Sequence, residues 1–183
     1  MEKKVKGETI FQGKIITVEK DKVLCENNII ATREVVRHNG GVGVLALVEN
    51  KVILVRQFRY PYNEDTLEIP AGKLEKGEDP LSCGIRELEE ETGYRTKSLT
   101  RFATIYPTPG YCDEVLHLYE ATDFTLVEDP LASDEDEFID VVYMDLDTAH
   151  KKVVEQEIRD SKTVIAINHA YIRYLEEKLK KTQ

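Results

Sequence analysis

The segment GIRELEEETGY, residues 84–94, places Glu87, Glu89, Glu90 and Glu91 within five consecutive positions. On a helix, Glu87 stands three residues before Glu90 and four before Glu91, so those three carboxylates project from one side while Glu89 points elsewhere. The arrangement is unfavourable in isolation. Acids near a helix C-terminus are disfavoured by about 0.3–1 kcal/mol each, and like charges at this spacing add about 0.2–0.5 kcal/mol per pair. A compensating positive charge is expected, and two sources fit. One is a hard divalent cation, which gathers carboxylate and carbonyl oxygens together with waters and phosphate groups. The other is bulk counterions around a solvated acidic face.

The elements that must carry these residues can be read around them. Asp79 suits an N-cap, Pro80 the first helical position and Gly93 the left-handed residue after the last turn, which predicts a helix from about Pro80 to Thr92. Leu81, Ile85 and Leu88 share the face expected to meet the core, opposite the carboxylates. Upstream, TLEIPAGKLEKGEDP reads as a short strand and a loop punctuated by Gly72 and Gly77. GGVGVLALVEN and KVILVRQFRY are strongly apolar runs joined by a turn at Glu49-Asn50, as expected of buried central strands. The first forty residues alternate as three strands of an antiparallel meander with a turn at Asn27-Asn28, too few and too weakly apolar to stand alone. Downstream come strands in SLTRFATIY and DEVLHLYEAT, separated by YPTPGYC, then the acidic loop ASDEDE and a strand in FIDVVYMDL. One or two helices close the chain, the last over about 161–181 with Val164, Ile165, Ile167, Ile172 and Leu175 on its buried side. The order is that of an α+β protein with a mixed sheet, divided into an N-terminal β region (1–40) and a main domain (41–183).

Composition narrows the function classes. The chain has 183 residues and a net charge of −10, which disfavours binding to a nucleic-acid backbone and leaves small molecules as the expected partners. No stretch approaches the roughly 18 apolar residues of a membrane span, and the basic N-terminus lacks the apolar run of a secretory signal. Three cysteines without paired spacing read as reduced thiols of a cytoplasmic protein.

The wider context favours the cation. From Gly72 to Tyr94 the chain reads as a glycine, five residues, Glu78, seven residues, then Arg86-Glu87-Leu88-Glu89-Glu90-Glu91-Thr92-Gly93-Tyr94. Every specified position agrees with the signature of the Nudix hydrolases, and the resemblance spans about residues 41–175. It implies an α/β/α sandwich with a mixed sheet, preceded by a small antiparallel sheet. It also implies Mg²⁺, for which Mn²⁺ can substitute, and hydrolysis of a diphosphate linked to another group. By the motif, Glu87 and Glu91 are metal ligands, Glu90 is a further ligand or support, and the Ala71 carbonyl contributes. Glu78 and Arg86 are expected to hold the motif's own geometry.

The flanks resemble the ADP-ribose pyrophosphatase branch. Pro109 falls fifteen residues after Tyr94, and TREVVRH, VRQFRYP and LEIPAGKLE are similar to that branch's surroundings. The resemblance implies a homodimer in which Arg33 and Glu34 contact the nucleotide across subunits, while Arg59 contacts the diphosphate by forked bonds. A surface ion pair is the alternative for each arginine. The acidic loop does not fit a calcium-binding loop counted from Asp134, because it lacks the glycine and glutamate that loop needs. By resemblance it carries Glu135 as the base and Glu137 as an auxiliary metal ligand, and a register shifted by one residue is the alternative. The expected reaction is cleavage of ADP-ribose to AMP and ribose 5-phosphate. A nucleotide-sugar or dinucleoside polyphosphate is the alternative substrate, and a non-catalytic nucleotide sensor the alternative class.

Overall fold

The computed structural model describes residues 1–132 and 138–182. An antiparallel sheet of β1 (Lys3–Gln12), β2 (Ile16–Leu24) and β3 (Ile30–His38) forms the N-terminal region. Every residue of β1 is exposed, so this sheet lacks an apolar layer of its own on that strand. At Gly40, with φ at +92°, the chain turns into the central sheet.

That sheet is built on β4 (Gly41–Val48) and β5 (Lys51–Arg59), joined by a tight turn in which Glu49 and Asn50 both take positive φ. β6 (Glu64–Glu68) pairs with β5 and β7 (Ala71–Lys73) with β4. Helix α1 (Pro80–Thr92) follows, then β8 (Tyr94–Thr96), β9 (Thr100–Ile105), β10 (Leu116–Ala121), β11 (Phe124–Leu126), β12 (Ile139–Asp145), α2 (Leu146–Val154) and α3 (Ser161–Thr182). The strand order is β12-β5-β4-β10-β9, with β4 and β10 parallel and the other pairs antiparallel, which makes the sheet mixed as expected. β8 and β11 form a separate two-stranded ribbon.

Two-residue alternation along the central strands explains the three layers. Leu45, Val52 and Leu54 face α2 and α3 and pack with Leu146, Ala149, Ile158, Ala166 and Ile167. Val44, Ala46 and Ile53 face the other way and pack with Leu88 of α1. Covering both faces is what permits near-continuous apolar runs in β4 and β5. Each fully buried Leu, Ile or Val contributes about 1.5–3 kcal/mol, and Val44, Ala46 and Ile53 form the floor on which α1 rests.

Two expectations are corrected. On α3, burial covers Lys162, Thr163, Ala166, Ile167 and Ala170. Val164 and Ile165 are half-buried, and Ile172 and Leu175 are exposed. A helix of 22 residues spans about 33 Å, whereas the six-residue strand β10 spans about 20 Å, so its last turns overrun the sheet. On α1, Leu81 is exposed and the buried face is Cys83, Gly84, Glu87, Leu88 and Glu91. The helix approaches the body through its small residues: a Cβ on Gly84 would lie 2.8 Å from Leu99 Cδ1.

Candidate active site

Helix α1 is set by its ends. Asp79 accepts a hydrogen bond from the Ser82 amide at 3.0 Å, and Gly93, with φ at +74°, donates its amide to the Glu89 carbonyl at 2.8 Å. That phase turns Glu87 and Glu91 toward β7 instead of solvent, leaving them only 8% and 7% exposed. Glu91 accepts a hydrogen bond from the Ala71 amide at 2.9 Å. Glu87 lies across Gly72, where a Cβ would sit 1.8 Å from its Oε1. A side chain at this position would collide with Glu87 and drive its carboxylate out of this place.

Protein cations supply part of the expected counter-charge. Arg86 reaches Glu87 at 2.8 Å, Glu90 at 2.7 Å and Glu78 at 3.3 Å. Desolvation works against its charge, yet Glu87 and Glu90 raise its pKa above the usual arginine range. Glu78 also accepts from the Glu75 amide at 2.9 Å, tying the preceding loop to the helix. Glu89 points away from this group, as its spacing predicts, and makes a forked pair with Arg95 at 2.6 and 2.7 Å. It also accepts from the Leu131 amide at 3.1 Å. Cys83 is buried among these residues. Burial, with Glu87 adding, pushes its thiol up to about 12, which rules it out as a thiolate nucleophile near neutral pH.

Arg59, at the end of β5, donates from Nε and Nη2 to the two oxygens of Glu68, each at 2.7 Å. Burial opposes the charge of Glu68, but Arg59 and Lys162 hold its carboxyl down at about 2. The hydrogen bond to Glu68 raises the pKa of Arg59 against desolvation, with Asp160 and Glu91 adding to the rise.

Arg33 and Glu34 lie on β3, apart from the box. Arg33 is exposed and pairs with Glu2. Glu34 lines an open cavity of about 380 Å³ with Ile10, Val18, Lys20, Val36 and Tyr111. The loop between β9 and β10, which carries Pro109, is fastened to the same strand. Val36 donates its amide to the Tyr111 carbonyl at 2.8 Å and accepts from the Asp113 amide at 3.1 Å. By their contacts, Ala71, Glu87, Glu90 and Glu91 form one group through Arg86 and the β7 backbone, Arg33, Glu34 and the Pro109 loop form another, and Arg59 is held apart from both by Glu68. Glu135 and Glu137 lie outside the described residues. Among the described residues no three His, Cys, Asp or Glu side chains stand in a ready-made metal cluster.

Glu68, Lys162 and Asp160, which were not among the expected site residues, form the ion network at Arg59. The available signal was a glutamate within the otherwise apolar TLEIP strand, which needs a cation if it is buried.

Residues 37–164 match the family model described as the NUDIX domain. The chain is 44% identical to a methanol dehydrogenase activator of Bacillus methanolicus over 173 residues, with 94% of each chain covered. It is 43% identical to an ADP-ribose pyrophosphatase of Bacillus subtilis (strain 168), again over 173 residues and 94% of each chain. A solved structure described as an ADP compounds hydrolase superimposes with a TM-score of 0.82 at 22% identity, covering 97% of this chain and 95% of that one. At that identity the likeness concerns the fold.

Proposed function

This chain belongs to the NUDIX family, and we propose that it is a Mg²⁺-dependent pyrophosphohydrolase that cleaves ADP-ribose to AMP and ribose 5-phosphate. The observation that carries this reading is the burial of Glu87 and Glu91 side by side against the backbone of Ala71 and Gly72. Two carboxylates withdrawn from solvent on a rigid helix, next to a strand with no side chain at Gly72, form a hard oxygen donor set suited to a small divalent cation. Glu87, Glu91 and the Ala71 carbonyl would hold it, with Glu90 in support. When bound, such a cation offsets the charge of a diphosphate and acidifies a water molecule. Mn²⁺ presents similar chemistry and can take its place.

The remaining steps belong to the chain's own residues. Arg59 contacts the diphosphate, for which a guanidinium edge is suited to phosphoryl oxygens. Glu135 takes the proton of the attacking water and Glu137 assists as a metal ligand. Arg33, Glu34 and the loop with Pro109 bind the nucleoside half. Arg33 and Glu34 act across a homodimer, which also covers the exposed Val5, Ile10, Phe11, Ile29 and Ile30 of the N-terminal region. In this reading residues 1–40 serve dimerisation and recognition, and residues 41–183 the chemistry. Cys25, Cys83 and Cys112 are free, which suits a reducing cytoplasm. Among the described residues no helix is long and apolar enough to cross a membrane.

Within the same chemistry, a nucleotide-sugar or dinucleoside polyphosphate is the second reading. In its favour, the two relatives at 44% and 43% identity carry different names, so similarity alone does not select a substrate. A nucleotide sensor is disfavoured because every box carboxylate is present. Hydrolysis rates for ADP-ribose, other ADP-sugars and diadenosine polyphosphates with Mg²⁺ test the reading. The highest kcat/KM is expected for ADP-ribose. A clear preference for another compound moves the assignment to the second reading, and no hydrolysis of any of them overturns the enzyme.

A further inference from the structure

An ion network lies behind the proposed diphosphate arginine. In the pairing of β5 with β6, Val55 faces Glu68, Gln57 faces Thr66 and Arg59 faces Glu64. Residues directly opposite share a face and alternate residues along a strand share a face, so Arg59, Thr66 and Glu68 emerge together. Glu68 is 3% exposed, and each contact it makes restrains it further. Thr66 donates its hydroxyl to Glu68 Oε1 at 2.6 Å. Lys162, buried in the first turn of α3, pairs with Glu68 Oε2 and stands 3.1 Å from Asp160. Asp160 is fixed in turn, accepting from the Thr163 amide at 3.0 Å and the Thr163 hydroxyl at 2.6 Å.

We infer that Glu68, braced by Thr66 and Lys162, is a positioning residue that locks Arg59 in the orientation from which it binds the diphosphate. This rests on the proposed role of Arg59. A guanidinium has five N–H donors in a fixed plane. Glu68 takes one from Nε and one from Nη2, so it grips one edge and sets the plane, leaving the edge formed by Nη1 and Nη2 to meet phosphoryl oxygens. An arginine restrained in this way need not lose its rotamer freedom on binding, which is the cost that preorganisation removes. A carboxylate placed only to cancel the charge of Arg59 needs neither the forked geometry nor a buried brace from α3. The brace also ties the proposed site to α3, whose remaining buried face is core.

The test is steady-state kinetics with ADP-ribose and Mg²⁺ for Arg59→Ala, Glu68→Gln, Glu68→Asp and the Arg59→Ala/Glu68→Gln pair, with melting temperatures measured alongside. Glu68→Gln keeps the shape but loses the charged fork. Glu68→Asp keeps the charge that Lys162 and Arg59 require and shortens the reach, so it serves if Glu68→Gln does not fold. Arg59→Ala is expected to raise KM at least about tenfold, consistent with loss of a charge-assisted bond. Both Glu68 variants should raise KM as well, and the double variant should be no worse than Arg59→Ala, because an absent arginine cannot be misplaced. If Arg59→Ala raises KM while folded Glu68 variants retain the wild-type KM, positioning is refuted and the role of Arg59 stands. If the two effects multiply, Glu68 acts independently of Arg59 and the inference is likewise overturned. If Arg59→Ala leaves KM unchanged, the role of Arg59 fails and the inference falls with it.

Discussion

Helix α1 and the N-terminal sheet carry the two halves of the proposed site, and their physical states are opposite. On α1 the carboxylates Glu87 and Glu91 are buried, each fixed by backbone or by Arg86, on a helix whose two ends are capped. On the N-terminal sheet Arg33 is exposed and β1 buries nothing. Chemistry needs groups held within a fraction of an ångström, which a capped helix over an apolar floor supplies. Recognition can be completed by association. A sheet that leaves Val5, Ile10 and Phe11 exposed lacks a covering layer, and a second copy of the chain would provide one.

The contrast can be broken first at the rigid end. Glu91→Gln is expected to abolish Mg²⁺-dependent turnover while the melting temperature of the metal-free protein stays near wild type. The amide oxygen of glutamine still accepts from the Ala71 amide, so the local fold keeps its hydrogen bond. Wild-type turnover, or a large loss of melting temperature, would overturn the ligand assignment. Next in size, Glu135→Gln should lower kcat by about 10²–10⁴-fold with little change in KM. Should Glu137→Gln behave this way instead, the loop's register is shifted; if neither matters, the base is elsewhere.

At the exposed end the effects should be smaller and of another kind. Arg33→Ala should raise KM by about 10–100-fold, the worth of one charge-assisted contact, without altering the mass measured by light scattering. A lowered kcat at unchanged KM would place Arg33 in the chemistry and erase the division.

The smallest expected effect concerns acid stability. The carboxyl of Glu68 is lowered from 4.5 to about 2 in the folded chain, despite the burial that opposes its charge. A depressed carboxylate stabilises the fold fully above its unfolded pKa, and that contribution disappears as pH falls through the folded value. Wild type should therefore lose urea resistance between about pH 4.5 and pH 2 more steeply than Glu68→Gln does. Parallel slopes would show that the pair contributes nothing to the fold.

Local signals were legible in the sequence. Asp79 and Gly93 fixed both ends of α1, the turn at Glu49-Asn50 joined two apolar strands, and the alternating residues of the first forty positions gave the meander. What apolarity misplaced was the rotation of α1 about its axis. Leu81 weighs more than Gly84 on any hydropathy scale, but close packing against Leu99 selects the glycine, and this turns Glu87 and Glu91 inward. The same preference for apolar residues assigned Ile172 and Leu175 to a core that ends below them. The partnership of Glu68 with Lys162 joins residues 94 positions apart, and nothing in either neighbourhood announces the other.

The claim that one site is shared by the box of one protomer and Arg33 of its partner can be tested by coexpressing Arg33→Ala with Glu91→Gln and assaying ADP-ribose hydrolysis below KM. Random pairing makes half the dimers mixed. Each mixed dimer would hold one site with an intact box and an intact arginine, so activity should recover to about a quarter of wild type. Activity no greater than the sum of the two variants assayed separately would contradict the shared site.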